Sequence, residues 1–164
     1  IQSLEELDRS VGETRILIRH WLSVQSGPRD PEKRDLLQLM DSDVPEQVAA
    51  MQPLVESWNA PMQLQFDSLR RDVEYLFLAY SEVIRLLPDF RAYDDPLAMM
   101  EAEYYALDGS SIPLYTASIR KRMDAMSLAQ TDALTASTAE MDLLSNRLKL
   151  YAGNVALGIL ILGF

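Results

Sequence analysis

The sequence predicts an all-α fold, an antiparallel up-down-up-down four-helix bundle with a long connection between helices three and four that holds a short extra helix. Two observations carry this. Apolar residues recur in alternating steps of three and four over several long runs, the spacing of a bundle seam. Clusters of Pro, Gly, Asn and Asp punctuate these runs, and short links between long helices force antiparallel neighbours.

The first run places Leu4, Leu7, Val11, Thr14, Ile18 and Trp21 on one stripe. It is predicted to end near Ser26-Gly27-Pro28, with Gly taking a left-handed C-terminal cap and Pro forbidding continuation. A second helix opens at Asp30-Pro31-Glu32, where Asp is a good N-cap and Pro is tolerated in the first turn. Its stripe runs Leu37, Met40, Val44, Val48, Met51, Val55 and Trp58, with Pro45 and Pro53 inside it. Each Pro removes a backbone donor, so a kink or break is expected.

Asn59-Ala60-Pro61 repeats the cap-and-Pro pattern before a third helix with Met62, Phe66, Leu69, Val73, Leu76, Tyr80, Val83 and Leu87 on one stripe, stopping at Pro88. In the 88–111 connection a short helix is predicted from Asp95-Pro96 to about Leu107, closed by Asp108-Gly109-Ser110-Ser111. The fourth helix starts around Ile112-Pro113 and carries Ile119, Met123, Met126, Ala133, Leu144, Leu148 and Tyr151. The first three runs hold about 26–28 residues each, roughly 40 Å of helix, and the fourth overruns them.

That overrun ends in Tyr151–Phe164, fourteen residues with no charged side chain, just beyond Arg147 and Lys149. A full span needs about 20 apolar residues. The expected organisation is a bundle over 1–151 followed at 152–164 by the start of a truncated transmembrane helix, as in a domain excised from between two membrane spans. A C-terminal core helix of a soluble bundle is the competing reading.

Composition narrows the function. The chain has 164 residues, enough for one continuous core. A net charge of −10 argues against nucleic-acid binding, which needs a basic face. With no cysteine, disulfide scaffolds, Cys-based zinc sites, iron–sulfur clusters and cysteine nucleophiles are excluded. Phosphate-loop, zinc-protease, serine-elbow and paired Glu-x-x-His patterns are absent, so no catalytic residue, metal site or cofactor is predicted and the chain is not read as an enzyme.

These helix lengths and this topology resemble the extracytoplasmic four-helix-bundle sensor domains of bacterial transmembrane receptors, found in chemoreceptors, sensor histidine kinases and diguanylate cyclases. The resemblance implies a periplasmic domain held at the inner membrane by flanking spans. It also implies a homodimer, a ligand site at the membrane-distal pole and signal relay through the last helix.

At that pole the chain gathers Arg19, His20, Arg29, Lys33, Arg34, Arg85, Arg91, Arg120, Lys121 and Arg122, nine of its fifteen Lys and Arg residues plus its one His. Arginine forks suit carboxylate and phosphate groups, and nearby tyrosines can wall a pocket. The candidate site for a small anionic solute is therefore Arg19, Arg85, Arg91, Tyr104, Tyr115, Arg120 and Arg122. A mesh of surface ion pairs with the equally numerous carboxylates is the competing account. His20 lacks a second His and reads as a surface residue, and the methionines read as core filling. The alternative function is a helical protein–protein interaction module with no small-molecule ligand.

Overall fold

A computed structural model describes residues 2–27 and 29–162, which form helices and short connections with no strand among them. The side chains of Asn146, Leu148 and residues 150–162 fall outside the described set. The chain divides into two compact units, residues 1–126 and 127–164.

Helix α1 spans Gln2–Ser23. Its whole predicted stripe is buried, from Leu4 through Trp21, and each large apolar side chain so removed from water contributes about 1.5–3 kcal/mol. The helix stops three residues short of Ser26, and Gly27 does not take the left-handed conformation expected of it. Instead the Ser23 hydroxyl donates to the Arg19 carbonyl at 2.8 Å, closing the last turn without a glycine cap.

Helix α2 (Pro31–Gln38) begins at the expected cap: Asp30 accepts the Glu32 N–H at 3.0 Å. A π-helical turn over Leu39–Asp43 joins it to α3 (Val44–Val55). The predicted kink at Pro45 therefore appears as a widened turn just upstream. Pro45 has no N–H and its ring crowds the carbonyl four residues back, and a π turn admits one extra residue where the regular ladder fails. That insertion shifts the inward face, so Lys33 and Leu36 are buried while the predicted Leu37 is only half-buried. Pro53 falls in the last turn of α3.

Asn59 caps α4 (Ala60–Leu86), accepting the Met62 N–H at 3.0 Å. Its stripe from Phe66 to Leu87 is buried as predicted. The long connection carries a 3-10 helix at Phe90–Asp94 that the sequence did not signal, and then α5 (Pro96–Tyr104), three residues shorter than expected. Gly109, at φ 83°, makes the left-handed turn that leads to α6 (Ser111–Leu162).

Within the first unit, named contacts tie the helices together. Gln47 on α3 donates to Ser10 on α1 at 2.9 Å, and the Trp21 indole donates to the Leu87 carbonyl at 3.0 Å. Ser118 on α6 donates to Asp72 on α4 at 2.6 Å, and Tyr115 stacks on Tyr75 at 5.4 Å. Ile112, Ile119, Met123 and Met126 complete the core. In the second unit every described side chain from 131 to 145 is exposed, Ala133 and Leu144 of the predicted stripe included.

Among the described residues no helix is long and apolar enough to cross a membrane. The segment expected to start a span, 152–164, has its side chains outside the described set, and residues 163 and 164 lie outside it altogether.

Candidate functional site

The end of α1 meets the start of α2 and the 3-10 helix around one buried cation. Lys33 is 1% exposed, and its Nζ donates to the Ser26 carbonyl at 2.9 Å and to the Tyr93 hydroxyl at 2.7 Å. Nζ also lies 4.6 Å from the Trp21 ring centroid and 4.8 Å from that of Tyr93. Tyr93 in turn donates to the Trp21 carbonyl at 2.5 Å. Burial pulls the Lys33 pKa down, against the field of Asp30, and burial pushes Tyr93 up to about 12. The sequence placed Lys33 among the cations gathered at this pole. It is instead a pin that fastens two connections to α1.

The other predicted residues do not form one site. Arg85 is bonded to Glu82 on its own helix at 2.8 Å, an exposed pair. Arg122 pairs with Asp72 at 2.7 Å and reaches Gln65 at 3.2 Å, so it serves the α4–α6 contact. Arg91 is exposed on the 3-10 helix, where its backbone N–H donates to Asp89. Tyr104 is exposed, edge-on to Tyr105, and Tyr115 is engaged with Tyr75.

Arg19 and Arg120 are brought together, and Arg15 joins them. Between α1 and the first turns of α6 runs a groove of about 280 Å³, lined by Arg15, Arg19, Arg120, Thr116, Asp108 and apolar neighbours. A second hollow of about 200 Å³ shares Arg15, Thr116 and Arg120 with it and adds Asp8. None of these three arginines forms an ion pair among the described residues.

In the core the Tyr80 hydroxyl is buried without a hydrogen-bond partner among the described residues. Burial raises its pKa to about 12, although the hydroxyls of Thr14 and Thr116 and the charges of Arg15 and Arg19 pull the other way. The groove thus offers three guanidinium forks to a ligand. A cleft of about 640 Å³ between α3 and α4 is mostly apolar, with Arg70 and Glu74 both on its wall.

No protein-family model, curated protein or solved structure significantly matches this chain.

Arg15 was missed because no motif marks it. Its signal was the four-residue spacing to Arg19 on the exposed face of α1, which aligns the two along one edge. A second cluster was also missed. His20 Nε2 stands 3.5 Å from Asp30 Oδ1, and Glu32 brings a second carboxylate to the same place. Burial pushes the Asp30 carboxyl up, but Ser26 and the N–H groups of Glu32 and Lys33 outweigh it and lower its pKa to about 2.

Proposed function

We propose that this chain is a ligand-sensing module of the extracytoplasmic four-helix-bundle type, binding a small organic anion in the groove between α1 and α6. The single observation that carries the reading is the convergence of Arg15, Arg19 and Arg120, from two helices, without an ion-pair partner among the described residues. Unpaired cations on an acidic protein are spared from the ion-pair mesh that would otherwise account for them. Two forks from α1 and one from α6 suit a ligand carrying more than one carboxylate.

The finer fold belongs to the same reading: an antiparallel up-down-up-down bundle of α1, the α2–α3 stretch, α4 and α6. Its support is the order of the contacts. Along α1, Ser10 and Trp21 meet Gln47 and Lys33, in reverse sequence order. Along α4, Asp72 and Tyr75 meet Ser118 and Tyr115, again reversed.

A groove between the first helix and the last suits signalling, since a ligand bridging them biases their relative position. We read the module as periplasmic, anchored at the inner membrane and homodimeric. The exposed Leu134, Met141 and Leu144 support pairing of two copies, since their steps of seven and three fall on one heptad seam. The same seam favours the second reading, an interaction module without a small ligand.

A thermal-shift screen of di- and tricarboxylates and inorganic phosphate tests the proposal. At least one anion is expected to raise Tm, with the gain lost in Arg19→Gln and Arg120→Gln and kept in Arg85→Gln. A flat screen favours the interaction module.

A further inference from the structure

We propose that His20, Asp30 and Glu32 form a site for one divalent transition-metal ion of the zinc class, where α1 ends and α2 begins. One donor atom from each residue lies within 4.8 Å of the other two. The His20 Nε2 atom is buried and makes no hydrogen bond among the described residues, yet it stands 3.5 Å from Asp30 Oδ1. Adjacent ligands on a tetrahedral zinc are about 3.4 Å apart, given bonds of about 2.1 Å. The His20–Asp30 spacing already matches that edge, and an ion gives neutral His20 Nε2 a bond where it otherwise has only the 3.5 Å approach to Asp30.

The donor set selects the class of ion. One imidazole nitrogen with two carboxylate oxygens suits zinc, cobalt or nickel, whereas calcium and magnesium favour all-oxygen shells. Asp30 is fixed in place by the Glu32 N–H at 3.0 Å. Glu32 is exposed in the first turn of α2, so its side chain turns onto the ion without disturbing the core. Water fills the fourth position, as in an open zinc site.

Two groups oppose the cation: the Lys33 ammonium and the positive end of α2. The two carboxylates offset them, and Lys33 is held by Ser26 and Tyr93. The bound ion would tie α1 to α2 across the 24–30 connection. None of its ligands lines the arginine groove, so the site stands or falls apart from the proposed anion binding.

Titration of the metal-free chain with Zn²⁺ by calorimetry, and with Co²⁺ by visible absorption, tests this. The expected result is saturation at one ion per chain, with the intense visible bands of four-coordinate cobalt and a rise in Tm. His20→Gln and Glu32→Gln are each expected to weaken binding at least about tenfold with an unchanged circular dichroism spectrum. Asp30→Asn keeps an equally good helix cap, so its loss of binding reports ligation and not unfolding. Failure to saturate, or undiminished binding in His20→Gln, would overturn the site.

Discussion

The buried ammonium of Lys33 donates to the Tyr93 hydroxyl at 2.7 Å, joining α2 to the 3-10 helix across 60 residues of sequence. Tyr93 passes the link on to the Trp21 carbonyl, so the three residues form one chain of hydrogen bonds. Tyr93→Phe removes an acceptor from a buried charge and a donor from a buried carbonyl. It is expected to lower unfolding stability by about 2 kcal/mol. Lys33→Met keeps the volume but leaves the Ser26 carbonyl without its donor and Tyr93 with only its bond to Trp21. The double variant should therefore lose less than the sum of the two singles in urea denaturation.

Tyr80→Phe should behave in the opposite way. Its hydroxyl is buried with no partner, so nothing is left unsatisfied when it goes. Stability is expected to stay within about 0.5 kcal/mol of wild type or to rise. A loss of 2 kcal/mol or more (on the order of a buried bond) would mean that Thr14 or Thr116 truly bonds it.

Stability should fall at both ends of the pH scale. The Asp30 pKa drops from 3.8 to about 2 on folding, so its contribution is complete above pH 3.8 and is lost as pH falls through about 2. Tyr80 and Tyr93 rise from 10.0 to about 12, so their contributions are complete below pH 10 and are lost as pH rises towards 12. Lys33 has the reverse sign: its lowered pKa costs stability while it is charged, and that cost is relieved as pH approaches its unfolded value of 10.5. Urea midpoints measured against pH should show the acid slope shrink in Asp30→Asn and the alkaline slope shrink in Tyr80→Phe.

Arg122 and Asp72 offer a cleaner measure of the α4–α6 contact than of any ligand site. Asp72 is 14% exposed and also accepts from Ser118, whereas Arg122 is 31% exposed. A double-mutant cycle to alanine is expected to give a coupling of about 1 kcal/mol, at the top of the range for surface pairs because Asp72 is shielded from solvent. Anion affinity should not change in Arg122→Gln.

The stripes of α1 and α4 were legible because burial follows a simple helical period, and the caps at Asp30 and Asn59 because a single side chain makes each one. The π turn before Pro45 was not legible, since its one-residue insertion is a compromise between proline sterics and packing that no local pattern records. Of the candidate site, Arg19 and Arg120 converge, but Arg122 is consumed by the fold itself, as is Lys33 among the other cations expected at that pole. Charge type alone does not tell a binding arginine from a structural one. That difference depends on which carboxylate or carbonyl the tertiary fold brings within reach, as Asp72 shows for Arg122 and Ser26 for Lys33.

Joint binding of a small anion by Arg15, Arg19 and Arg120 is tested by a proton–nitrogen NMR titration of the chain with the anion that gives the largest thermal shift, or with citrate if none stands out. Saturable shifts are expected at the guanidinium Nε–H groups of Arg15, Arg19 and Arg120 and at the Thr116 amide. Arg85 and Arg91 should stay unmoved. Shifts confined to Arg85 and Arg91, or no saturable shift at the groove, would contradict joint binding.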